Sequence, residues 1–156
     1  MRLSRLILLA MIWALPFGAA ANDTSPGLWQ ESGYRQDETG KRTDCFNEGC
    51  FAGFPVISGL SMICASGPDL RAYAKQHLAD FATRFRGALH NCNDTPNGGV
   101  KCDEGSMTQT LPSPDAAHVD FSYTTEGFGH RSTRAWHYER LGDDCSAAKV
   151  VIRSTH

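Results

Sequence analysis

Two histidines and two acids near the C-terminus are the residues whose types and spacing can do chemistry. His118-Val119-Asp120 and His137-Tyr138-Glu139 each hold an imidazole and a carboxylate two positions apart. Residues so spaced on a β-strand share a face. If the chain folds back symmetrically about Gly127-Phe128, His118 stands opposite His137 and Asp120 opposite Ala135, gathering His118, Asp120, His137 and Glu139 on one polar face. Imidazole titrates near neutrality and ligates metals, and a neighbouring carboxylate orients it. Such a face suits metal binding or acid–base catalysis. The plainer alternative is a solvated sheet face, and a single bulge would send one histidine to the other side.

Other chemistries fall short of a full set. Lys75 and His77 with His118 imitate the two-histidine, one-lysine arrangement of secreted ribonucleases. His77, however, borders the apolar stripe of a helix, and an acidic chain suits RNA poorly. No G-x-S-x-G occurs, and Ser58-Gly59 and Ser66-Gly67 read as turn pairs. Gly98-Gly99 and Gly127-Phe128-Gly129 lack the following helix and Lys-Ser/Thr of a phosphate loop. No C-x-x-C pair or Cys–His ligand spacing marks a zinc site. No catalytic set, metal or cofactor is assigned on these grounds.

The elements that must position these residues show in the hydrophobic period. Ser66-Gly67-Pro68-Asp69 is a helix start, with Pro68 preset for the first turn. Leu70, Tyr73, Ala74, Leu78, Phe81, Ala82, Phe85, Ala88 and Leu89 then recur at three- and four-residue steps, predicting an amphipathic helix of about six turns that ends near Cys92. Before it, Leu28-Trp29 starts a short strand, Arg35 to Thr43 reads as a hairpin tip or loop, and Val56 to Cys64 reads as a buried strand interrupted at Gly59. After it the period becomes two. Val119, Phe121 and Tyr123 alternate with polar residues, Arg131 to Arg140 runs back, and Ala147 to Ser154 gives a third strand. The expected fold is α+β, one long helix packed on an antiparallel meander.

Met1 to Ala21 has the layout of a secretory signal: Arg2 and Arg5, the apolar run Leu6 to Leu15, and Ala19-Ala20-Ala21 before the cut. Residues 22–156 then form a single exported domain, periplasmic or secreted. Losing Arg2 and Arg5 takes the formal balance from −2 to −4, which argues against a nucleic-acid or anionic-membrane partner. No second apolar stretch is long enough to span a bilayer. Cys45, Cys50, Cys64, Cys92, Cys102 and Cys145 would meet an oxidising compartment. Six cysteines allow 15 connectivities. Spacing suggests Cys45–Cys50 and Cys92–Cys102 as local closures, leaving Cys64 for Cys145. Asn22-Asp23-Thr24 and Asn93-Asp94-Thr95 match the glycosylation triplet, which matters only in a glycosylating host.

Ser58-Gly59-Leu60-Ser61-Met62-Ile63 running into Asp69-Leu70-Arg71-Ala72-Tyr73-Ala74, followed by Ala117-His118-Val119-Asp120-Phe121-Ser122-Tyr123 and Trp136-His137-Tyr138, resembles the PsbP/DcrB-like group of small α+β domains. The resemblance spans residues 56–153. It implies an accessory or binding role and carries over no functional residues.

Phe81, Phe85, Phe121, Tyr123, Trp136 and Tyr138 suffice to fill a core of this size. Trp29, Tyr34, Phe46, Phe51 and Phe54 cluster in the loop-rich N-terminal third, where a stapled loop would hold them as interface anchors. The alternative is that they cap the open end of the core. The expectation is a non-enzymatic exported protein that binds another protein, for instance an inhibitor or immunity protein neutralising a toxin or hydrolase. The competing expectation is a small secreted hydrolase or metal-dependent enzyme using His118 and His137.

Overall fold

Period-two alternation builds most of this molecule, and one period-3.6 segment covers it. The computed structural model describes residues 24–44, 62–113, 115 and 117–153. The strands are β1 (Gly27–Gln36), β2 (Arg42–Asp44), β3 (Met62–Ala65), β4 (Asn93–Asp94), β5 (Val100–Lys101), β6 (Gly105–Thr110), β7 (His118–Gly127), β8 (His130–Gly142) and β9 (Val150–Val151), with helix α1 (Gly67–Gly87) after β3. They form one sheet in the order β4-β5-β6-β7-β8-β1-β3-β9, and β2 pairs with the far end of β1. Each pairing is antiparallel except that of β3 with β9. The fold is α+β, with one helix among the described residues on a mixed sheet larger than the expected meander.

The local sequence explains α1. Ser66 caps it, its Oγ accepting from the Asp69 N–H at 3.1 Å, and Asp69 sits in the first turn with Arg84 and Arg86 in the last. Leu70, Ala74, Leu78 and Ala82 are buried, a stripe at steps of four whose two alanines let the helix lie close to the sheet. The helix stops at Gly87, short of Cys92. Glycine is a poor helix residue, and Cys92 is tied by a disulfide to Cys102 beside β5.

Under α1 lies an aromatic layer. Trp29 from β1, Phe121 and Tyr123 from β7, and Trp136 and Tyr138 from β8 are all buried. Phe121 stacks on Trp136 with centroids 4.8 Å apart, and Phe81 of the helix stacks on Tyr123. Each buried ring contributes roughly 1.5–3 kcal/mol relative to exposure. Trp29 is 0% exposed and its Nε1–H donates to the Ala65 carbonyl at 2.9 Å. It is therefore a core residue and not an interface anchor: β1 is a central strand, and its alternation turns Trp29 inward.

The C-terminal segment departs from expectation most. Among the described residues there, only Val150–Val151 forms a strand, and it runs parallel to β3, away from the β7–β8 hairpin. β8 is flanked instead by β1. The Cys64–Cys145 disulfide brings the segment after β8 to β3, where the Lys149 N–H donates to Met62 O and the Ile152 N–H to Cys64 O. Cys92–Cys102 also forms as the spacing suggested, whereas the Cys45–Cys50 closure lies outside the described residues, as do the leader and the first part of the Val56 to Cys64 strand.

The two bridges close chain lengths of 81 and 10 residues. Loop-closure entropy then makes the long one worth about 4.5 kcal/mol and the short one about 3 kcal/mol. Urea denaturation of Cys64→Ser/Cys145→Ser should show the larger loss of unfolding free energy. A larger loss for Cys92→Ser/Cys102→Ser would contradict the view that the long closure holds the segment after β8.

Candidate functional site

The geometry of the histidine face is decided at the hairpin tip. Gly127 pairs with His130 across Phe128-Gly129, whose φ values are 53° and 78°. Two positive φ angles in a two-residue loop make a type I′ turn, the kind whose twist matches that of the strands. It is centred one residue beyond Gly127-Phe128, so each β7 residue meets a partner two places later than symmetric folding about that pair requires. His118 stands opposite Glu139, and Asp120 opposite His137; Ala135 faces Ser122. The expected His118–His137 and Asp120–Ala135 pairings are thus corrected. A shift of two preserves the face, and His118, Asp120, His137 and Glu139 do share the side turned away from α1.

There, His137 Nδ1 and Asp120 Oδ1 are hydrogen-bonded at 2.6 Å, and the imidazoles of His118 and His137 stack with centroids 5.5 Å apart. His118 Nδ1 is sealed from solvent without a hydrogen-bond partner among the described residues. The His137 and Asp120 side chains stand about half in water, 44% and 57% exposed. Acid–base work gains little where water keeps the dielectric high. No three His, Cys, Asp or Glu side chains among the described residues converge as metal ligands. The ribonuclease-like trio is not assembled, because His77 lies under α1 against Phe121 and Trp136, on the opposite face from His118. Burial there holds His77 below the usual imidazole range.

Sequence reasoning missed two features. Glu31 is 7% exposed in the aromatic layer, accepting from the Tyr138 O–H at 2.7 Å. Burial pushes its carboxyl above the usual range, with the Tyr138 hydrogen bond opposing, and burial also pushes the Tyr73 and Tyr138 phenols up. The available signal was parity, since Glu31 shares its strand face with Trp29.

The second feature is the hairpin tip itself. Phe128 is 76% exposed, and it lines a cavity of about 240 Å³ with Phe85 of α1, Ala88 and Leu89 just past its end, and Gly127 and His130 from the hairpin. Glu104 and Glu126 stand at the same cavity. Glu104 is bonded to His90, which holds that carboxyl below and that imidazole above their usual ranges. His130 lies 3.8 Å from Glu38. The sequence marked Glu126 to Gly129 only as a turn.

Of the other expected anchors, Tyr34 is half-buried with the Arg42 guanidinium 4.4 Å over its ring. Phe46, Phe51 and Phe54 lie outside the described residues. No helix among the described residues is long and apolar enough to cross a membrane. Comparison with protein-family models, curated proteins and solved structures finds no match to this chain.

Glu31 sets a pH dependence with a definite sign. A carboxyl raised in the folded state binds its proton more tightly than in the unfolded chain. Its contribution is therefore complete below the ordinary carboxylate value, is lost as pH rises through the folded value, and is constant above. Glu31→Gln keeps the acceptor for Tyr138 and removes the charge. The variant should gain stability over wild type as pH climbs from 4 to 7, and match it in acid. Parallel urea curves at all pH values would contradict a buried, desolvated carboxyl.

Proposed function

We propose that this chain is an exported protein that binds another protein, and that the β7–β8 tip is its contact point. The observation that carries the reading is Phe128, a large aromatic held at a positive φ of 53° with 76% of its surface exposed. Asn, Asp or Gly would take that position with less strain, and a bulky residue in the left-handed region costs about 1–2 kcal/mol. Strain of this kind gathers at functional sites. An exposed aromatic beside an apolar cavity has the make-up of a binding hot spot.

The rest of the molecule supports the same reading. Cys92–Cys102 braces the chain leaving α1, close to the cavity wall, so little order would have to be imposed on docking. Two disulfides among the described residues and the signal-like leader suit a periplasmic or secreted setting. The resemblance of residues 56–153 to PsbP/DcrB-like domains implies a binding role as well. Within that class, an inhibitor or immunity protein neutralising a toxin or hydrolase is the form we favour, because rigid, disulfide-braced scaffolds suit tight stoichiometric blockade.

Isolated untagged from the envelope or extracellular fraction of its host, the protein should give a native mass spectrum with a stoichiometric protein partner. Truncating a hot-spot aromatic costs about 2 kcal/mol or more, close to 30-fold in affinity. Phe128→Ala should lose the partner with its circular dichroism unchanged, while Phe128→Trp retains it. A partner held equally by Phe128→Ala would move the contact elsewhere, and a bare wild-type chain would retire the permanent complex.

A further inference from the structure

We infer that the outer face of the β7–β8 hairpin binds a late first-row divalent metal ion, Cu²⁺ ahead of Zn²⁺, through Nε2 of His118 and Nε2 of His137. This inference is independent of the contact proposed at Phe128.

One imidazole is already committed at its Nδ1, and the Nδ1 of the other is buried. His137 Nδ1 is engaged by Asp120 at 2.6 Å, which puts the proton on Nδ1, fixes the ring's orientation and leaves Nε2 with its lone pair. A carboxylate holding the far nitrogen of an imidazole is the usual support of a metal-ligating histidine. His118 Nδ1 is sealed from solvent, which leaves Nε2 as the nitrogen this ring can offer an ion. The rings lie 5.5 Å apart at 23° to one another, on adjacent strands of a continuous antiparallel ladder. Two nitrogens on one ion, each about 2.0–2.1 Å from it, stand no more than about 4 Å apart. In the proposed site the His118 ring turns toward His137, which Asp120 holds in place and which small Ser32 faces from β1.

The side chains as they stand do not converge as a three-ligand set. The ion is therefore held as a two-imidazole chelate with water completing its shell. Nitrogen donors select against Mg²⁺ and Ca²⁺, which want oxygen, and rank Cu²⁺ above Zn²⁺. The other imidazoles among the described residues are differently placed: His77 is enclosed by Phe121 and Trp136, His90 is bonded to Glu104, and His130 lies near Glu38.

Calorimetric titration of the exported chain with CuCl₂, ZnCl₂ and MgCl₂ in a non-chelating buffer tests this. One equivalent of Cu²⁺ should bind with micromolar affinity, Zn²⁺ more weakly and Mg²⁺ not at all. His118→Gln and His137→Gln should each weaken Cu²⁺ at least tenfold, and Asp120→Asn by about tenfold through loss of orientation. Selective broadening of the His118 and His137 ring protons of the wild type by substoichiometric Cu²⁺ gives the same answer without any variant. No saturable binding, broadening confined to His90 or His130, or unaltered binding by the doubly substituted protein would overturn the assignment.

Discussion

The Phe128-Gly129 turn decides which residues of β7 and β8 stand opposite one another, and both faces of the sheet inherit that choice. A two-residue type I′ loop fixes the register of the strands it joins. Slipping one strand by a single residue would turn Val119, Phe121 and Tyr123 to solvent and drive His118 and Asp120 beneath α1. The observed ladder, Gly127 with His130 through His118 with Glu139, does neither. Gly129 takes its φ of 78° without penalty, but Phe128 at 53° does not.

From that register the layers follow. The inward set of β7 and β8 forms an aromatic floor whose stacked Phe121 and Trp136 meet His77 edge-on, and the small residues Ala74 and Ala82 bring α1 down onto it. Glu31 is the discord in this layer, a carboxyl whose desolvation only Tyr138 visibly offsets. The outward set is small and polar, with Ser32, Ser122 and Ala135 beside the stacked imidazoles. The molecule thus separates a packing face from a face open to solutes, and places an apolar notch where the hairpin tip overhangs the end of α1.

The helix was legible because its signals are local and agree: the Ser66 cap, Asp69 in the first turn, and an apolar stripe at steps of four. The hairpin was legible in kind, but glycines flank Phe128 on both sides, so composition alone allowed two turn centres and the register missed by two residues. β6 was invisible because Gly105 to Thr110 offers one large apolar residue, Met107, and owes its strand to pairing with β7. The destination of the C-terminal segment depends on the Cys64–Cys145 bridge, a contact across 81 residues that periodicity does not encode. Trp29 was grouped with the interface anchors by its loop-rich neighbourhood, and Glu31 drew no reading at all. Strand parity places both in the buried layer. The exposed Phe128 was read only as part of a turn, since its functional interest lies in a positive φ that composition does not reveal.

A hairpin tip that keeps Phe128 where asparagine fits better has given up stability for an exposed ring, and that trade is the centre of this account. Urea denaturation of Phe128→Asn against wild type measures it directly. The account predicts a higher midpoint at unchanged slope, a gain of about 1 kcal/mol from relieving the left-handed strain. A lower midpoint would show that Phe128 is held by packing within its own chain, and would remove the reason to read the tip as a surface kept for a partner.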